Sequence, residues 1–106
     1  MLGLVKFVTT DEVLVEFLNA FSGRGRYFRE TAVTFIYHLR QSPTVEIVKQ
    51  SRESFDLGLL YYDSRHDKGY SLVDCISMNT MRRMAIQKVL THDHHFAQEG
   101  FEVLIR

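Results

Sequence analysis

The sequence predicts a small α/β domain built on a mostly parallel sheet with helices on both faces. Short β-branched or apolar runs alternate with segments of helical period, and the joints between them are brief. The length of 106 residues suits one domain, residues 1–106. An apolar fraction of 45% is enough for a core and argues against disorder.

The elements follow in order. Val5 to Val8 reads as a short strand ending in Thr9 and Thr10. A helix begins at once, with Thr9 and Glu12 spaced as a capping box, and Val13, Leu14, Phe17, Leu18 and Phe21 on one face. Ser22-Gly23-Arg24-Gly25 stops it, because glycine accepts the turn that a helix end needs. A second helix is expected from about Arg26 to Leu39, burying Phe28, Ala32, Phe35, Ile36 and Leu39.

Pro43 closes that helix, and β-branched Thr44 to Val48 reads as a strand. Ser51 is placed to cap a third helix whose Phe55, Leu59 and Tyr62 fall at i, i+4 and i+7. Residues Asp63 to Gly69 are polar and read as a loop. Ser71 then caps a fourth helix carrying Leu72, Val73, Ile76, Met81 and Met84. Lys88 to Thr91 is a predicted strand, His94 to Glu99 a helical turn ended by Gly100, and Phe101 to Ile105 a last strand.

Composition excludes several classes. Thirteen basic and thirteen acidic side chains cancel, so no global field announces nucleic acid, although a local patch can still bind phosphate. A single cysteine, Cys75, rules out a disulfide framework within the chain and points to a reducing compartment. No apolar run approaches a membrane span and the N-terminus lacks the pattern of a signal peptide, so a cytoplasmic protein is expected. There is no glycine-rich phosphate loop and no dinucleotide fingerprint.

The carboxylates carry the chemical interest. In open parallel sheets, ligands bind beyond the carboxyl ends of the strands, and Asp93 lies just past the strand ending in Thr91. It equally suits the turn that opens at His94. Asp74 is the third residue after Ser71, where an acid offsets the helix dipole; the same field keeps a carboxylate ionised for a cation. Glu16 sits at the edge of the first helix's apolar stripe, where a solvated side chain is the default reading, and Asp11 and Glu12 are first-turn acids. The run His92-Asp93-His94-His95 falls short of a zinc site, which needs four convergent ligands. Cys75, in an apolar stretch, reads as a core residue. Arg24, Arg26 and Arg29 cluster at one helix joint and Arg82-Arg83 end another helix; each is a phosphate contact or a solvated side chain.

Three stretches together resemble the PIN-domain family, small metal-dependent ribonucleases common as toxins of bacterial toxin–antitoxin pairs. They are Thr-Thr-Asp-Glu-Val-Leu-Val-Glu-Phe-Leu-Asn-Ala-Phe from Thr9, Ser-Leu-Val-Asp-Cys-Ile-Ser-Met from Ser71, and Leu-Thr-His-Asp-His-His-Phe from Leu90, followed by Glu-Gly-Phe-Glu-Val-Leu. The likeness runs from about Phe7 to Ile105. It implies a three-layer α/β/α fold and a site for Mg²⁺ or Mn²⁺ made by Asp74 and Asp93, with Glu16 placing a water or a second ion. Thr91 would set its hydroxyl beside the last acid, and Arg24 and Arg26 would meet phosphate. RNA is the implied substrate and an antitoxin protein the implied partner.

The family's pattern has a further aspartate at the end of its first strand, upstream of where this chain begins. The resemblance therefore implies an N-terminally incomplete domain, its first strand–helix unit missing. Self-association through open sheet edges is expected to follow. A PIN remnant that binds RNA or protein without cutting is the alternative reading.

Overall fold

The computed structural model describes residues 7–89 and 94–104. Its internal contacts divide the chain into two compact units, Met1–Gln50 and Ser51–Arg106.

The first unit runs β1 (Phe7–Thr10), α1 (Asp11–Phe21), α2 (Arg26–Gln41) and β2 (Val45–Val48). β1 and β2 are parallel, with Phe7 opposite Val45 and Thr10 opposite Val48, so a helical hairpin connects the two strands. α1 begins one residue later than the spacing predicts. Thr10, not Thr9, is the N-cap, and its hydroxyl accepts from the Val13 backbone N–H at 3.2 Å. That bond satisfies one of the orphan donors of the first turn, and such caps contribute about 1 kcal/mol. Asp11 then reaches across the sequence, its Oδ2 accepting from the Gln50 N–H at 3.0 Å.

The joint between the helices ends at Gly25, whose φ of +92° is a conformation that side chains resist. The Arg29 guanidinium donates to the Ser22 carbonyl at 2.9 Å and closes this joint. Leu14, Ala32 and Ile36 are buried. Phe28 and Phe35, expected on the buried stripe, are instead 43% and 48% exposed. Their rings pack sideways along the hairpin, Phe35 against Phe17 at 5.4 Å and Phe28 stacked on Phe21 at 6.3 Å. Ring-on-ring contact covers one side of each phenyl and leaves the other open.

The second unit contains α3 (Arg52–Ser64), α4 (Leu72–Arg83), β3 (Lys88–Val89), α5 (His94–Gln98) and β4 (Glu102–Val103). β3 and β4 are again parallel, Lys88 opposite Glu102 and Val89 opposite Val103. Val5, Leu90, Thr91 and Ile105, predicted strand residues, lie outside the described residues. Tyr70, Cys75, Met78, Met81, Phe96 and Phe101 form the core of this unit.

α3 departs from its predicted face. Its apolar stripe of Phe55, Leu59 and Tyr62 is exposed, and the residues turned inward are Ser54 and Gly58. A Cβ on Gly58 would overlap Cγ1 of Ile76 on α4, so the absence of a side chain at Gly58 is what lets the two helices approach there. α3 also runs on through Asp63 and Ser64, which the polarity of that stretch assigns to a loop. The end of α4 is unusual in composition. Ile86 N–H bonds to the Met81 carbonyl at 2.8 Å and Ala85 N–H to the Arg82 carbonyl at 3.2 Å, the pair of bonds that closes a Schellman motif. The left-handed residue there is Ala85, at φ 56°, where glycine is usual.

Candidate functional site

The start of α4 is built by local chemistry. Ser71 Oγ accepts from the Asp74 N–H at 3.0 Å, and Asp74 Oδ2 accepts from the Ser71 N–H at 3.1 Å. This reciprocal pair fixes the Asp74 carboxylate at the positive end of a twelve-residue helix. Asp74 is half-buried, and the imidazole of His95 on α5 brings its Nδ1 to 3.5 Å from Oδ2. The His95 ring also lies 5.0 Å from the ring of Tyr70, the residue before the cap.

A second cluster holds α5 in this position. The Glu99 side chain, only 9% exposed, follows directly on α5. Its Oε2 accepts from the Tyr70 hydroxyl at 2.8 Å and from Arg65 Nε at 3.2 Å. Its Oε1 accepts from Arg65 Nη2 at 3.2 Å and from the Tyr61 hydroxyl. Arg82 completes the arrangement, donating to the Glu99 carbonyl at 2.7 Å and to the Tyr61 oxygen at 2.9 Å. The Arg65 guanidinium lies over the Tyr61 ring at 4.4 Å and that of Arg82 over Phe101 at 4.9 Å.

The electrostatics follow from these contacts. Burial pushes the Glu99 carboxyl up, but the hydrogen bonds from Arg65, Tyr61 and Tyr70 outweigh it and hold the pKa down at about 2. Burial, reinforced by Glu99, raises the Tyr70 phenol to about 12. Tyr61 is raised for the same reasons. Burial likewise raises the Cys75 thiol, assisted by the neighbouring charge of Asp74, and the side chain is fully covered. A neutral, inaccessible thiol is a core residue, in line with the sequence reading.

The predicted site residues are distributed as follows. Asp74 is at the head of α4 in the second unit. Glu16 is an exposed residue of α1 in the first unit. Arg24 and Arg26 are exposed at the α1–α2 joint, Arg24 lying over the Phe21 ring at 5.8 Å and Arg26 paired with Glu30 at 2.8 Å. Asp93 and Thr91 lie outside the described residues. Among the described residues, no three His, Cys, Asp or Glu side chains converge on one point. What the structure does bring together is Asp74 and His95. A carboxylate oxygen is the kind of donor a hard divalent cation takes.

Sequence reasoning missed the roles of His95, Glu99 and Arg82. For Arg82, the visible signal was a basic residue in the last helical turn, which reads as solvated surface. For Glu99 there was none, since its partners lie 17 to 38 residues away.

Among solved structures, the crystal structure of Mycobacterium tuberculosis VapC20, a sarcin–ricin loop cleaving toxin, matches this chain with a TM-score of 0.81. The match covers 96% of this chain and 75% of that one at 24% identity. The chain has a PIN-like fold. No protein-family model and no curated protein matches it. The parallel strand pairs agree with the α/β fold class that the sequence predicts. Among the described residues, no helix is long and apolar enough to cross a membrane.

Proposed function

We propose that this chain is a divalent-metal-dependent ribonuclease of PIN type and the toxin of a toxin–antitoxin pair. The observation that carries this reading is the Asp74 carboxylate, held by Ser71 at the head of α4 within a PIN-like fold. Asp74 and Asp93 would hold Mg²⁺ or Mn²⁺. Bound there, the ion supplies Lewis acidity toward a phosphate oxygen. The chain's own part is to present anionic oxygens to the ion, Asp74 from the head of α4. Arg24 and Arg26 are exposed cations available to the RNA backbone.

The partners proposed are RNA, an antitoxin protein and a second copy of the chain, in a cytoplasmic setting. Self-association has support in the exposed apolar side chains of α3, where Leu60 is 68% and Leu59 49% exposed. RNA of the sarcin–ricin loop type is the substrate to test first, since VapC20 cleaves that loop. The experiment is a cleavage assay on such an oligonucleotide with the whole chain, with Mg²⁺ or Mn²⁺ and then with EDTA. Cleavage that EDTA abolishes and either ion restores, and that Asp74→Asn loses, supports the reading. Cleavage indifferent to EDTA overturns it, and metal binding without any cleavage leaves the non-cutting binding module.

A further inference from the structure

We propose that His95 is a ligand of the divalent cation and that its imidazole makes the site prefer Mn²⁺ over Mg²⁺. The inference rests on the reading that Asp74 holds such an ion, and it goes further by assigning a nitrogen donor and a cation preference.

The geometry is the first argument. Asp74 Oδ2 and His95 Nδ1 come from different helices and stand 3.5 Å apart. Two donors, each about 2.1 Å from a shared ion, lie roughly 3.0 to 3.5 Å from one another in octahedral or tetrahedral coordination. The pair therefore stands at a spacing that one cation can bridge.

Pre-organisation is the second. His95 sits one helical turn before Glu99, whose side chain is gripped by Tyr61, Tyr70 and Arg65. Tyr70 contributes twice, through its hydroxyl to Glu99 and its ring beside His95. Asp74 is oriented independently by Ser71. Both donors are thus held by neighbours that are not themselves donors to the ion, which is how metal ligands are kept in register.

The chemistry of the donor set gives the preference. Mg²⁺ takes oxygen ligands and dehydrates reluctantly, whereas an imidazole suits the first-row transition ions. Replacing one carboxylate or water by imidazole therefore costs Mg²⁺ more than Mn²⁺.

The test uses the full chain with Mn²⁺ as probe. Pulsed electron paramagnetic resonance of bound Mn²⁺ reads ¹⁴N modulation from a coordinated imidazole. Modulation is expected in the native chain, retained in His94→Asn and lost in His95→Asp. Competition titration should show the Mn²⁺-over-Mg²⁺ ratio falling by about tenfold or more in His95→Asp, in line with the loss of a group that tunes a metal site. His95 is partly exposed, and circular dichroism of each variant establishes that it is folded. Mn²⁺ bound without nitrogen modulation, modulation surviving in His95→Asp, or an unchanged ratio each overturn the assignment and leave Asp74 as a ligand. Mn²⁺ binding that is absent, or unaffected by Asp74→Asn, overturns the Asp74 reading and this inference together.

Discussion

Tyr70 donates its phenol proton to Glu99 at 2.8 Å, a bond that ties the residue before the α4 cap to the end of α5. Asp74 follows Tyr70 by four residues and His95 precedes Glu99 by four, so this contact, together with the bond from Arg82 of α4 to the Glu99 carbonyl, holds the two helix segments that carry them. The two segments are thus tied by residues 29 positions apart in sequence.

Glu99→Gln should destabilise the protein in a pH-dependent way. The folded pKa of about 2 lies below the ordinary 4.5, so the ionised network adds stability that is fully present above 4.5 and is lost as pH falls toward 2. At 1.4 kcal/mol per unit, the contribution at neutral pH is on the order of 3 kcal/mol. Urea unfolding should show the variant less stable than the native chain by about that amount at about pH 7, with less than half the gap left at about pH 3. A gap that does not narrow on acidification would contradict the assignment of the low pKa to Glu99.

Gly58→Ala should cost about 1–3 kcal/mol, because its Cβ would meet the branch of Ile76 and the helices must part. Pairing it with Ile76→Ala, which removes the opposing atoms, should recover part of the loss. Thermal unfolding of the four members of this cycle measures the coupling, and strict additivity would place the clash elsewhere.

These two sites also explain what was legible in advance. The head of α4 was readable because Ser71 and Asp74 are three residues apart and make their bonds locally. The face of α3 was not. An apolar period identifies a stripe at Phe55, Leu59 and Tyr62, yet the close approach to α4 is made at Gly58. Thr9 and Thr10 are chemically alike, so the sequence could not say which one caps α1; Val8 and Thr9 both continue the strand, and the later threonine wins. His95 and Asp74 are brought together only by tertiary structure. Asp93 and Thr91, also singled out from the sequence, lie outside the described residues.

Ala85→Gly should stabilise the protein by about 1 kcal/mol, since a side chain in the left-handed region pays roughly that amount and glycine does not. Ala85 closes α4 at φ 56° with both Schellman bonds formed, so the conformation is imposed by the motif. Chemical denaturation with an unchanged slope and a higher midpoint is the expected result. A lower midpoint would mean that the flexibility added to the unfolded chain outweighs the relief of strain.

Metal binding gives the sharpest check on the proposed site. Asp74→Asn and Asp93→Asn should each weaken Mn²⁺ binding by at least about tenfold, the scale on which a metal site responds even to outer groups. Asp56→Asn and Asp63→Asn, two changes on α3, should leave it unaltered. Asparagine keeps the size of the side chain and one oxygen acceptor, so the comparison isolates charge. In Asp74→Asn the cap to the Ser71 N–H can survive through the amide oxygen, which keeps α4 folded while the anionic donor is gone. Calorimetric titration of the four variants reads the effect directly. Equal losses at all four positions would show that Mn²⁺ responds only to overall charge, and would remove Asp74 and Asp93 from the site.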